Sequence, residues 1–73
     1  MLVTLGLVAR EAREAAGLTQ ERIAAAAGVS DAVVSNLELG RRFPEQLEAV
    51  VLAYEAECGL SGGELWKRAA AKL

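Results

Sequence analysis

Apolar residues return every three or four positions along most of this chain, with polar residues between them, and no stretch reads as a convincing strand. Five helices are predicted. The first runs from about Thr4 to Ala16, with Thr4 as its cap and Leu5, Ala9, Ala12, Arg13 and Ala16 on one face; Gly17 ends it. The second runs from about Gln20 to Ala27 and turns Ile23, Ala24 and Ala27 inward. The third runs from about Asp31 to Leu39 and stops at Gly40, with Val34 and Leu37 facing in. A fourth begins at Pro44, whose missing N–H suits a first helical turn, and carries a stripe of Leu47, Val50, Val51, Tyr54 and Cys58 before Gly59 breaks it. The fifth, about 62–73, opens on the capping-box pattern Ser61-Gly62-Gly63-Glu64 and presents Leu65, Trp66, Ala69 and Leu73.

The segment from Gln20 to Leu39 has the spacing of a helix-turn-helix. Ala24 sits where two helices cross, and a side chain larger than a methyl would hold them apart. Gly28 sits at the sharp turn, which favours a residue tolerant of positive φ. Ile23, Val29, Val34 and Leu37 fall where a small shared core needs them. Thr19 and Ser30 each precede a helical stretch and can cap it by accepting a bond from an unpaired amide.

At these residues the chain resembles the Cro/C1-type (XRE) helix-turn-helix domains of phage repressors, their Cro partners and small bacterial regulators. The resemblance is carried by Gly17-Leu18-Thr19-Gln20, by Gly28-Val29-Ser30, and by Leu37-Glu38-Leu39-Gly40-Arg41-Arg42 with Pro44 beyond. It covers roughly residues 5 to 66. It implies a compact all-α bundle of five helices like that of the lambda repressor, with a helix that enters the DNA major groove.

Composition bounds this picture. The 73 residues make one domain with a small core, for which a second subunit is a natural support. One cysteine excludes an internal disulfide and a cysteine-built zinc site, and the absence of histidine removes the usual general base and commonest metal ligand. No phosphate-loop pattern or pocketed acid pair is evident, so no catalytic residue, cofactor or metal is expected. Cys58, on an apolar stripe, reads as buried and inert. The longest uncharged run, before Arg10, is too short to span a membrane and lacks a basic leader, so a cytoplasmic protein of a bacterial or phage-infected cell is expected, nucleoid-associated when bound.

Charge cuts the other way. The net charge is −2 and the pI near 5.0, whereas nucleic-acid binders are usually basic. The distribution softens this. Arg10, Arg13, Arg22, Arg41 and Arg42 balance Glu11, Glu14, Glu21, Asp31 and Glu38 up to Pro44, and the acidic excess lies beyond.

The candidate site follows from the outer face of the third helix. Asp31, Ala32, Val33, Ser35 and Asn36 are the candidate base-contacting residues. A carboxamide such as Asn36 can bond adenine at two atoms, Ser35 can bond a base or a phosphate, and Ala32 and Val33 can pack on a thymine methyl. Asp31 reads either as an acid stabilising a helix N-terminus or as an acceptor for cytosine N4, and Asn36 either as a base reader or as a solvated surface residue. Leu39 reads as rim packing. Gln20, Arg22, Ser30, Arg41 and Arg42 are the candidate phosphate contacts, with Arg22 also able to pair locally. Arg13 and Glu38, both on inner faces, read either as a buried ion pair, whose positions match one common in the resembled family, or as two charges that each snorkel outward to water. Leu65, Trp66 and Leu73 either close the core or form a dimer interface; a two-fold dimer would hold two reading helices one DNA turn apart, roughly 34 Å, and select a palindrome.

These features imply a sequence-specific regulator of double-stranded DNA, a homodimeric repressor acting by operator occupancy. The alternative is a protein-interaction module on the same fold, antitoxin-like or an accessory factor, with a second protein as its main ligand.

Overall fold

The computed structural model describes residues 2–73, and among these it contains five α-helices and no strand: α1 (Leu2–Ala15), α2 (Gln20–Ala27), α3 (Asp31–Glu38), α4 (Leu47–Glu57) and α5 (Glu64–Ala71). The five helices expected from the periodicity form, packed as the all-α bundle that the resemblance implies. One core holds it together: Leu5, Val8, Ile23, Val34, Leu37, Val50, Val51, Tyr54 and Leu65 are all within 2% of full burial. α2 lies against α4 and α3, while α1 lies against α3, α5 and α4.

The turn between α2 and α3 is built as its residues dictate. Thr19 Oγ1 accepts from the Arg22 amide at 3.1 Å and caps α2. Gly28 takes φ 71°, in the left-handed region, and its N–H returns to the last turn of α2. The Val29 amide then bonds the Ala24 carbonyl at 3.0 Å, which reverses the chain within one residue. Ala24 itself is 1% exposed at the crossing.

Four boundaries differ from the periodic reading. α1 starts at Leu2, so Thr4 is an interior residue and not its cap; Leu2 packs against the core, which rewards the extra turn. Ala16 lies past the end of α1 and is exposed, and the inward face is Leu5, Gly6, Val8, Ala9 and Ala12. α3 ends at Glu38, with Leu39 as its half-in cap residue. α4 starts at Leu47, not Pro44. Residues 42–44 run without helical bonds, 45–46 form a turn, and Gln46 keeps a non-helical ψ of 43°, which aims Leu47 and Val50 at the core.

The start of α5 is a further correction. Its cap position is Gly63, at φ 87°, with no side-chain cap bond, so the Ser61–Glu64 box does not form. Ser61 offers only its carbonyl, to the Glu64 amide at 3.0 Å, and the Glu64 side chain pairs with Arg68 at 3.2 Å. The cap comes from α4 instead: the Glu55 carboxylate, on a residue 3% exposed, accepts from the Leu65 amide at 3.1 Å. A buried carboxylate at a helix N-terminus gains from both the hydrogen bond and the helix dipole.

Candidate functional site

α3 is anchored from below by a polar cluster set into the apolar core. Arg13 of α1 meets Glu38 side-on, Nε to Oε2 at 2.8 Å and a terminal nitrogen to Oε1 at 2.9 Å, while its other terminal nitrogen donates to the Leu18 carbonyl at 2.9 Å. The Gln20 side-chain amide donates to Glu38 Oε1 at 3.0 Å, and the Tyr54 hydroxyl of α4 donates to Glu38 Oε2. The Glu38 side chain is 1% exposed and that of Arg13 is 13% exposed. Burial pushes the Glu38 carboxyl up, but the hydrogen bonds from Arg13, Tyr54 and Gln20 and the charge of Arg13 more than reverse this, so it stays ionised below the ordinary range. Burial and the neighbouring carboxylate push the Tyr54 phenol up, so it remains a donor. Among the described residues no buried side-chain polar atom lacks a partner. Three helices, α1, α2 and α4, thus converge on one carboxylate at the C-terminal end of α3.

Gly6 sets how close α1 comes to that end. A β-carbon there would stand 2.1 Å from the Leu37 carbonyl oxygen and 3.2 Å from that of Glu38. The two backbones are in contact, and only hydrogen fits between them.

The outer side of α3 is open. Asp31 and Ala32 are exposed, Val33, Ser35 and Asn36 are half-buried, and Leu39 beyond them is 53% exposed. Ser30 occupies the cap position with an extended backbone, but its hydroxyl makes no cap bond to α3; the Val33 amide bonds its carbonyl instead, at 3.1 Å. Asp31 lies in the first turn, where an acid favours the helix.

A cleft runs along each flank of this surface. One, of about 270 Å³, lies between Val33 and Asn36 of α3 and the connection to α4, where Arg42, Pro44, Glu45 and Gln46 form the opposite wall. The other, of about 210 Å³, lies between α3 and the start of α2 and α1, lined by Ser35, Gln20, Arg10, Arg13, Glu38 and Leu39. Arg41 and Arg42 are exposed, and the Arg41 amide is tied to the Asn36 carbonyl at 2.9 Å, so the pair is held directly behind the last turn of α3.

The sequence-predicted residues do not all gather here. Gln20 is beside α3 and commits one of its two side-chain N–H donors to Glu38, which leaves the other. Arg22 points to the other side of α2 and pairs with Glu57 of α4 at 2.6 Å. Leu65 is fully buried and closes the core, whereas Trp66 and Leu73 stay 37% and 77% exposed. Cys58 is half-buried at the end of α4, and partial burial followed by the charge of Glu57 pushes its thiol up, which weakens it as a nucleophile. Sequence reasoning overlooked Arg10, which lines the second cleft, and Gly6. Arg10 has Glu14 one turn away and reads as a solvated pair. A glycine inside an amphipathic helix is the one local signal, since it lowers helix stability and so calls for a reason such as close packing, but it does not name the partner.

A family model described as a helix-turn-helix domain matches residues 4–65, a span that begins inside α1, contains α2, α3 and α4, and ends inside α5. No curated protein and no solved structure matches the chain.

Proposed function

The chain belongs to the helix-turn-helix domain family, and from that premise we propose that it is a sequence-specific regulator of double-stranded DNA, a dimeric repressor that acts in the cytoplasm by occupying its operator. One observation carries the reading: the buried side of α3 is fixed by Val34, Leu37 and Glu38, while its outer side, with Ala32, Ser35 and Asn36, faces a solvent-open surface that ends in Arg41 and Arg42. A helix held this way fits a major groove about 12 Å wide. Asn36 reads an adenine edge, Ser35 reads a base or a phosphate, and Val33 and Ala32 meet a thymine methyl. Arg41, Arg42, Gln20 and the uncommitted Ser30 hydroxyl supply backbone contacts, which give affinity without sequence choice. Arg22 contributes less, because Glu57 holds it. Asp31 serves the helix rather than a base. Trp66 and Leu73 form the contact between copies, and the resulting two-fold dimer selects a palindrome.

The test is selection of bound sequences from a random duplex library, together with the mass of the protein in solution. Recovery of a short palindrome and a dimer mass support the reading. Enrichment of no sequence, with no retention of duplex at low salt, ends it.

A second reading has one observation in its favour. Leu39 at 53% exposure and Phe43 at 39% stand close in sequence at the C-terminal end of α3, on a chain of net charge −2. Apolar groups there suit a protein partner better than a phosphate backbone. A protein that ignores duplex DNA at low salt but is protected at Leu39 and Phe43 by a cognate polypeptide is a protein-interaction module instead.

A further inference from the structure

The two clefts differ in what they offer, and they lie on opposite flanks of one helix. Successive positions on an α-helix turn by about 100°. Ser35 and Asn36 therefore open to different sides, Ser35 into the cleft against α1 and α2, Asn36 into the cleft against the α3–α4 connection. A helix with its side chains is about 10–12 Å across, which fills a major groove about 12 Å wide. Whatever lies beside α3 in that position meets a phosphate strand on each flank.

In the cleft against α1, Arg13 is neutralised by Glu38. Gln20 and Ser35 supply neutral donors. Arg10 is the remaining cation in the lining, and its partner is Glu14, 3.4 Å away, with both side chains more than half exposed. A contact that long and that exposed is worth little and breaks readily. In the cleft against the connection, Arg42 is the cation.

We infer that Arg10 is a phosphate-binding residue, that with Gln20 and Ser35 it seats one DNA strand while Arg42 seats the other, and that Glu14 competes with the phosphate for Arg10. This rests on the reading of the chain as a duplex-DNA binder and adds a residue, a strand assignment and a built-in competitor to it. The two arginines lie more than thirty positions apart in sequence (Arg10 on α1, Arg42 after α3), so the grip on α3 comes from both sides of the recognition surface.

The experiment is affinity for a random duplex against salt, for the full chain and for R10A, E14Q and R10A/E14Q. A lost phosphate contact lowers the slope of log affinity against log salt by about 0.9, so R10A is expected to bind all sequences more weakly, with its slope reduced by about that amount. E14Q is expected to tighten binding in the protein that keeps Arg10 and to have no effect in R10A. If E14Q tightens both equally, Glu14 acts by general repulsion and the competition is overturned. An unchanged slope in R10A overturns the assignment of Arg10 while leaving DNA binding intact; failure of the unmodified protein to bind any duplex overturns the underlying reading as well. Phosphate-ethylation interference on a selected duplex tests the strands: within each half-site R10A should lose interference on one strand and R42A on the other, and loss on the same strand of a half-site rules out the two-sided seat.

Discussion

The two sides of α3 are built on opposite principles. On the inner side Val34 and Leu37 have no exposed surface, and the one charged residue, Glu38, accepts four side-chain hydrogen bonds from three directions. On the outer side Ser30, Ser35 and Asn36 carry polar groups that form no side-chain hydrogen bond within the described residues, and the charges nearby sit at the edges, in Asp31, Arg10, Arg41 and Arg42. The inner side is spent on fixing where the helix lies and how it is rotated. The outer side keeps its hydrogen-bonding capacity for something else. A side chain that is already satisfied contributes to the fold, and one that is held in place but unsatisfied is available for recognition.

The sharpest way to break this contrast is to remove the carboxylate. Glu38→Ala leaves Arg13, Gln20 and the fully buried Tyr54 hydroxyl without their acceptor. Stranding one half of a buried ion pair costs about 3–5 kcal/mol, most of what a small domain has in hand. Thermal unfolding followed by circular dichroism should show E38A largely unfolded at 37 °C; a loss under about 1 kcal/mol would mean the cluster is ornamental. The same carboxylate gives the fold an acid limit. Its value is lowered in the folded state, so its contribution is fully present above the unfolded carboxylate value, about 4.3, and drains away as pH falls through the lowered folded value. Stability measured between pH 5 and 2 should therefore fall, and Glu38→Gln should flatten that fall.

Gly6→Ala attacks the same side by geometry instead of charge. The added methyl overlaps the Leu37 carbonyl, so α1 and α3 must separate, at a cost of about 1–3 kcal/mol typical of overpacked sites. Ala is otherwise the better helix former by roughly 1 kcal/mol. Measured destabilisation in urea therefore reports the close approach directly, and stabilisation would deny it.

This residue also shows where the sequence stops being readable. Thr19, Gly28, Ala24 and the inward positions of α2 and α3 were legible, because each answers a local demand: a cap, a turn, a crossing, a period. Arg13 and Glu38 were legible as two charges on inner faces. Gly6 was not, since its reason is a backbone that arrives from residue 37. The cap of α5 was misread for a related reason: Ser61 and Glu64 satisfy the local pattern, whereas the group that acts is Glu55, from another helix. Leu65 and Trp66 are neighbours in sequence, and periodicity alone could not say that the first closes the core while the second stays partly exposed. At the recognition surface the residue types were legible and their commitments were not. Arg22 reads in the sequence as able to pair and Gln20 as open, yet in the fold both are engaged, Gln20 with Glu38 and Arg22 with Glu57.

The smallest expected effect on stability is the one that defines the outer side. Asn36→Ala removes a half-buried carboxamide with no side-chain bond to the rest of the fold, and a better helix former replaces it. Unfolding free energy should stay within about 0.5 kcal/mol of the parent. If Asn36 reads a base, the same variant loses about 1–3 kcal/mol of discrimination at one position of the selected site and little affinity for random duplex. The pairing of outcomes is what matters. A variant that keeps its fold and loses its choice of base belongs to a side chain held for recognition, whereas one that loses stability first would show that Asn36 works inward, on the same terms as Val34 and Leu37, and the division of α3 into two sides would not hold.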